Sequence, residues 1–330
     1  MKKRNLKLGL VGTGSWGLAL SLALSKTKNN VIVFFKSEEQ MELIKTTRKS
    51  KYLPDTNMPR KIKLTNSYKD IKYCDFIFLV TPSQTIRKNL EALLKNKVET
   101  RDFVICSKGI ERETNKLMSE VLEDVMPANN SIIFSGPNFA HEVAANLPTA
   151  FVLSSKKQKL AKDLGNEIST KNFRPYFNSD IIGTQIGGSM KNIIAISCGI
   201  VVGKKLGENA RSAIITRGLK EIIDLGKSMG AEEKTFYGLS GLGDLNLSCN
   251  SRKSRNMNLG YELANGRNIT TILQDSKLSE GVHSCDAICA IGKKNGIELP
   301  ICNAIQKILN GESIDDVIFN LLSRPLQPEA

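Results

Sequence analysis

Histidine is nearly missing from this chain: 330 residues hold two, His141 and His283. The seven cysteines form no CxxC pair, so a metal site on the usual zinc-ligand spacings is not expected. They stand at 74, 106, 198, 249, 285, 289 and 302, odd in number and mostly inside apolar runs, which predicts buried free thiols rather than disulfides. Aromatic residues are scarce at 6%, and acidic residues are outnumbered, leaving a net charge of +14. That balance raises the question of nucleic acid. The basic residues are spread along the chain, however, with KKR at the start and SRKSR at 251–255 as the tight clusters, and there are few aromatics to interleave with them. No nucleic acid is expected; an anionic small substrate explains the charge equally well, and a lysine-biased composition explains it more blandly still. Nowhere does the chain approach the roughly 18 uninterrupted apolar residues of a membrane span, so no membrane insertion is expected. The opening MKKRNLKLGLVG runs into glycine-rich GTGSWG rather than a small-residue cleavage site, and the cytoplasm is the expected compartment.

What is present is ordinary for a soluble protein, with 41% hydrophobic and 24% charged residues and enough length for two domains. The first half alternates. Strand-like apolar runs at 6–11, 31–35, 75–80, 103–106, 131–134 and 149–153 are separated by helix-like stretches such as 16–26, 38–46 and 83–95. This pattern predicts a parallel sheet covered by helices on both faces, and FRPYFNS at 173–179 is a candidate late strand. Beyond Ser179 the strand signals stop, and helices are predicted at 180–205, 209–229, 256–265, 281–295, 300–309 and 313–322. The expected domains are therefore 1–179 and 180–330, with Ser179 as the N-cap of the first helix of the second.

That helix holds an anomaly. Ile182, Ile186, Ile193, Ile196 and Ile200 mark one apolar face, while Lys191 projects from the other, among Gly187, Gly188, Ala195 and Cys198. A helix apolar or small nearly all round is buried, and a buried lysine calls for a function. The small neighbours are expected to leave room for a substrate to reach the amine.

Upstream, LKLGLVGTGSWGLAL places Gly12, Gly14 and Gly17 as GxGxxG between a strand and a helix. The pattern suits a dinucleotide: a tight turn at Gly12, close approach of a pyrophosphate at Gly14, close strand–helix packing at Gly17, and free N–H donors at the helix start. The second strand ends in Lys36 rather than the acidic residue that selects NAD, so NADP is the preferred cofactor, with NAD the alternative. Three more strands end in unusual loops, VTPSQ (80–84), CSKGIE (106–111) and FSGPNFAHE (134–142), which in a doubly wound sheet line the ligand crevice. They bring Lys108 and Gly136 forward as site candidates, whereas His141 reads as a surface or capping residue. In GLGDLNLSCNSRKSRN, Asp244 sits in apolar surroundings, and Arg255 and Asn256 open a helix whose N-terminus suits a phosphate.

Taken together, GTGSWG, TPSQ, SKGIE, SGPNFA, IGGSMKNIIAISCGI, NARSAIITRG, GLGDLNLSC, SRN, SEG and LLSRPLQPE resemble, in this order, the bacterial NAD(P)-dependent glycerol-3-phosphate dehydrogenases. The resemblance implies a Rossmann-like doubly wound sheet followed by an all-α domain. It implies reversible reduction of dihydroxyacetone phosphate to sn-glycerol 3-phosphate, supplying phospholipid synthesis, by a homodimer formed through the helical domain. By the same analogy Lys191 is the acid/base, Lys108 polarises the substrate oxygen, and Asp244 pairs with the catalytic lysine. Gly136, Asn138, Ser254, Arg255 and Asn256 match substrate positions; Ser15, Trp16, Lys36, Lys108, Ala140, Arg255, Leu278 and Glu280 match cofactor positions. This chain departs from the family with Asn138 where serine or threonine is common, Lys36 where arginine is frequent, and SEG for VEG. Burial pushes Lys191 toward neutrality and Asp244 pushes it back, a tuning that suits proton transfer. The rival readings are a hydroxyacid dehydrogenase of the 3-hydroxyisobutyrate type, which would need a carboxylate site in place of GLGDL and SRN, and a non-catalytic cofactor sensor, which would be expected to lack some of Lys108, Lys191 and Asp244.

Overall fold

The structure, a computed structural model, describes residues 5–276 and 279–326. Eight strands form one sheet: β1 (Lys7–Val11), β2 (Asn30–Phe34), β3 (Lys63–Thr65), β4 (Phe76–Leu79), β5 (Asp102–Ile105), β6 (Asn130–Ser135), β7 (Thr149–Ser154) and β8 (Phe173–Asn178). Their order is β3-β2-β1-β4-β5-β6-β7-β8. The central strands are apolar on both faces, as β4 with all four residues buried illustrates, because helices cover both sides of a parallel sheet. The doubly wound expectation holds, and the strand order reverses direction from β1 outward, between β2 and β4, where such sheets bind ligands.

The all-parallel expectation does not hold. β7 runs antiparallel to β6, in register Phe134↔Leu153, and β8 is parallel to β7. The connection from Gly136 to Pro148 carries one short helix, Ala140–Ala144. Ala140 and Ala144 pack on the core beside Trp16 instead of crossing the sheet, so the chain turns straight back. The strand β3 escaped the sequence because three residues cannot display a period.

After β8 every described element is helical. The N-cap of the first helix is Asp180, one residue later than expected: its Oδ1 accepts from Gly183 N at 2.7 Å, and its Oδ2 from Glu232 N at 2.9 Å. The helix that follows, Ile181–Gly203, is buried along nearly its whole length. It is long and apolar enough to cross a bilayer, but 83% of that window is buried inside the protein, where the helices Glu208–Ser228, Arg255–Ala264 and Glu280–Lys294 surround it. The glycine-rich stretch around Asp244, which carries no helical period, folds as a π-helical turn, Leu239–Gly243, running into the helix Asp244–Cys249. Helices at Glu233–Phe236 and Ile269–Ser276 were likewise not foreseen.

Candidate active site

The glycine loop behaves as its spacing predicts. Gly12 has φ +129°, and a Cβ there would lie 2.5 Å from the Val80 carbonyl oxygen. A Cβ on Gly17 would overlap the Gly12 carbonyl, whereas one on Gly14 would meet open space. Two glycines therefore serve packing, and the third leaves an approach to the start of the helix Ser15–Ser25, whose N-terminus no side chain caps. Such an end presents unpaired N–H donors and a positive dipole to an anion, so the residues present fit a dinucleotide pyrophosphate. Ser15 and Trp16 open this helix. Trp16 packs against Phe134 at 5.6 Å between ring centroids, and Ala140 lies against the same core. Lys36 stands exposed where β2 ends, next to Ser37, the N-cap of the helix Glu38–Thr47. Leu278 lies outside the described residues.

In the cleft between sheet and helices, Asp244 joins the two lysines. Its Oδ1 accepts from Lys191 Nζ at 2.7 Å and its Oδ2 from Lys108 Nζ at 2.6 Å. Lys108 Nζ also donates to the Gly136 carbonyl oxygen at 2.8 Å, and Lys191 Nζ to Ser248 Oγ at 2.8 Å. The carboxylate is 1% exposed, so both its oxygens are spent on these ammonium groups. A buried carboxylate requires this kind of charge-assisted pairing. Burial drives the Lys191 ammonium down to about 8 against the pull of Asp244, with Lys108 adding to the fall. The amine therefore exchanges protons close to neutral pH.

The small residues beside Lys191 do something other than admit substrate. A Cβ on Gly187 would lie 2.6 Å from the Ser240 carbonyl oxygen, and one on Gly188 would press on Ser135 Oγ at 3.2 Å and Lys108 Cγ at 3.4 Å. The missing side chains let the π-helical turn and Lys108 reach the long helix, and that is what brings Asp244 and Lys108 to Lys191.

Ser254 is the N-cap of the helix Arg255–Ala264, its hydroxyl accepting from Met257 N at 3.4 Å. Arg255 is open to solvent at that N-terminus; surrounding protein lowers its guanidinium's pKa, and Glu280 opposes the fall. Asn256 links across the floor, donating to Asn192 Oδ1 at 2.9 Å and accepting from Gly281 N at 3.1 Å. Asn138 braces the loop, its amide donating to the Pro137 and Ala150 carbonyls at 2.9 and 3.1 Å while its Oδ1 is buried without a partner. Glu280 accepts from Ser83 N at 3.1 Å and Ser83 Oγ at 2.6 Å. His141 is exposed beside Glu142 and lies apart from these contacts. Ser248, Asn192 and Ser83 escaped the sequence reading as individual site residues, although all three lie in motifs it quoted; nothing in their local pattern separates a lysine ligand or a linker from an ordinary helix polar residue.

Two family models divide the chain. The one described as NAD-dependent glycerol-3-phosphate dehydrogenase N-terminus matches residues 7–161, and its C-terminus counterpart matches residues 180–318. A protein of Parvibaculum lavamentivorans named glycerol-3-phosphate dehydrogenase (NAD(P)+) is 41% identical over 98% of both chains. One of the same name from Caulobacter vibrioides is 40% identical over 98% of this chain and 99% of its own. Among solved structures, a glycerol-3-phosphate dehydrogenase of Coxiella burnetii superposes with a TM-score of 0.92 at 32% identity, covering 97% of this chain and 99% of the other.

Proposed function

We propose that this chain, which belongs to the NAD-dependent glycerol-3-phosphate dehydrogenase family, reversibly reduces dihydroxyacetone phosphate to sn-glycerol 3-phosphate with NADH or NADPH, and that Lys191, Lys108 and Asp244 carry the reaction. The observation that supports the assignment of residues is the single buried carboxylate of Asp244 shared by two lysines at the cleft.

When bound, the reduced nicotinamide supplies a hydride to the substrate's carbonyl carbon. The protein supplies the rest. The Lys108 ammonium, held by Asp244 and the Gly136 carbonyl, hydrogen-bonds the substrate oxygen and stabilises the charge that builds on it. The Lys191 ammonium gives that oxygen its proton and is left as the amine; in the reverse direction the amine takes the alcohol proton. Asp244 holds both lysine heads in place, and Ser248 Oγ fixes the direction of the Lys191 head. Arg255, a planar fork beside the N–H groups of its own helix, grips the phosphate, with Ser254 and Asn256 shaping the same corner. Gly136 and Asn138 form the opposite loop, and Ser15, Trp16, Ala140 and Glu280 line the nucleotide side.

NADP is the favoured cofactor of the pair, because an exposed ammonium at the end of β2 suits a 2′-phosphate. The division into residues 1–179 for the nucleotide and 180–330 for catalysis follows the passage from sheet to helices. Seven free thiols suit the reducing cytoplasm, where the product feeds glycerophospholipid synthesis. A homodimer would cover Phe319 and Leu322, exposed at 70% and 80% on the helix Ile314–Leu322. The test is the loss of reduced-nicotinamide absorbance with dihydroxyacetone phosphate, each cofactor separately. Turnover is expected with both and faster at low concentration with NADPH; no turnover alongside measurable cofactor binding would overturn the reading.

A further inference from the structure

The TPSQ stretch has no part in the chemistry above, yet the side chains of Ser83 and Gln84 touch both walls of the cleft. It follows β4 as a single helical turn, Ser83–Thr85. Ser83 is 1% exposed and donates from its backbone N and its Oγ to the two oxygens of Glu280, across 197 residues of chain and onto the first turn of the helix Glu280–Lys294. Gln84 faces the other way. Its Nε2 donates to the Ile110 carbonyl at 2.7 Å, and its Oε1 accepts from Arg112 N at 3.0 Å. Those two groups belong to the loop that carries Lys108.

The same loop is held at other points. Ser107 Oγ donates to the Thr81 carbonyl at 2.5 Å, and Ile110 N to Ser284 Oγ at 3.3 Å. Gly109, the residue after Lys108, has its missing Cβ filled: an added carbon would overlap Ser83 Oγ and lie 2.9 Å from Glu280 Oε2. Glycine is thus required there by the Ser83–Glu280 contact itself. Glu280 would otherwise be a poor anchor, since burial favours its neutral form; the two Ser83 donors, with His283 and Arg255 close by, oppose that.

We infer that Ser83 and Gln84 are positioning residues for the reaction, clamping the Lys108 loop to the helical wall so that Lys108 is delivered to Asp244 in register. Neither touches the reacting atoms. This rests on the assignment of Lys108 to the substrate oxygen. A loop held only at Lys108 itself could drift by the fraction of an ångström that matters for orientation, whereas one pinned at Ser107, Ile110 and Arg112 cannot.

The test compares full-length wild type with Ser83→Ala, Gln84→Met, Gln84→Glu and the double variant Ser83→Ala/Gln84→Met. Measured are kcat with dihydroxyacetone phosphate, NADPH affinity, melting temperature, and hydrogen exchange at the amides of 109–112. Each single removal is expected to lower kcat about tenfold with affinity for NADPH within about twofold. Gln84→Glu, which keeps the acceptor for Arg112 N, should lose less than Gln84→Met, and the double variant less than the product of the singles, because both act through one loop. Exchange at 109–112 should quicken in step. Unchanged kcat in folded variants, or a fall that tracks melting temperature and not exchange at 109–112, overturns the clamp. An inactive wild type would remove the assigned reaction instead, and exchange would still decide whether these side chains hold the loop.

Discussion

Asp244 and Lys191 meet at 2.7 Å in a setting where the carboxylate is 1% exposed and the lysine 9%. A charge pair so placed repays its desolvation only when every remaining lone pair is used, and here the second oxygen is used by Lys108. Burial drives the Lys191 ammonium down to about 8 against the pull of this carboxylate.

Asp244→Asn should lower kcat by roughly 100- to 1,000-fold. Its effect on pH is more telling. Without the carboxylate, burial and Lys108, which both lower the Lys191 pKa, are left without their main opponent. The alkaline fall of the reduction profile should therefore move to lower pH, and a fall that stays in place would separate Asp244 from the titration of Lys191.

In the proposed mechanism reduction needs Lys191 as the ammonium, and oxidation needs it as the amine. With its pKa near 8, reduction should decline above about pH 8 while oxidation rises through the same range. Lys191→Ala should cost about 100- to 10,000-fold in kcat and leave NADPH binding intact; near-normal turnover would end its assignment as acid/base.

Arg255→Ala removes the only guanidinium assigned to the phosphate. KM for dihydroxyacetone phosphate should rise roughly 10- to 100-fold, the scale of a lost charge-assisted bond. An unchanged KM would place the phosphate elsewhere.

Lys36→Glu puts an anion where the 2′-phosphate is expected. The ratio of kcat/KM for NADPH over NADH should fall by about tenfold or more, one lost charge contact and one new repulsion. An unaltered ratio would locate cofactor choice away from the end of β2.

Glu221 offers a prediction about stability. Buried on the helix Glu208–Ser228, it accepts from Ile301 N at 2.6 Å and Cys302 N at 3.1 Å at the start of the helix Pro300–Leu309. Burial lifts its carboxyl to about 7 although both bonds pull it down. A folded pKa above the unfolded one favours the folded state at low pH, and that share is lost as pH rises from near 4.5 through 7. The loss amounts to roughly 3 kcal/mol by linkage. In Glu221→Gln this part of the slope should vanish in denaturant melts between pH 5 and 8. An identical slope in both proteins would show that the carboxylate does not titrate in that range.

Residues whose meaning is local were legible in the chain. Gly12, Gly14 and Gly17 could be sorted because each duty is set within one turn and its adjoining strand. Lys191 could be singled out because helical periodicity alone told that the face around it was not a solvated one. Lys108 and Asp244 stood out by a strand-end loop and by apolar surroundings, and the family motifs added their roles and the pairing of Asp244 with Lys191, though not the contact between Asp244 and Lys108.

Other features depended on distance through the fold. Gly187 and Gly188 looked like space for substrate, and became contact points for Ser240 and Lys108 because only the packed structure says what fills a missing side chain. β7 ran against its neighbour because the short helix Ala140–Ala144 packs by Trp16 rather than across the sheet.

Periodicity, turn residues and composition act over a few residues, and they suffice for the class of fold, the place of the dinucleotide loop and the presence of a buried lysine. Folding alone brings the second oxygen of Asp244 to Lys108 across 136 positions and Ser83 to Glu280 across 197. At such separations chain order places no constraint on which side chains touch; the packing of the long helix against the sheet and its loops does.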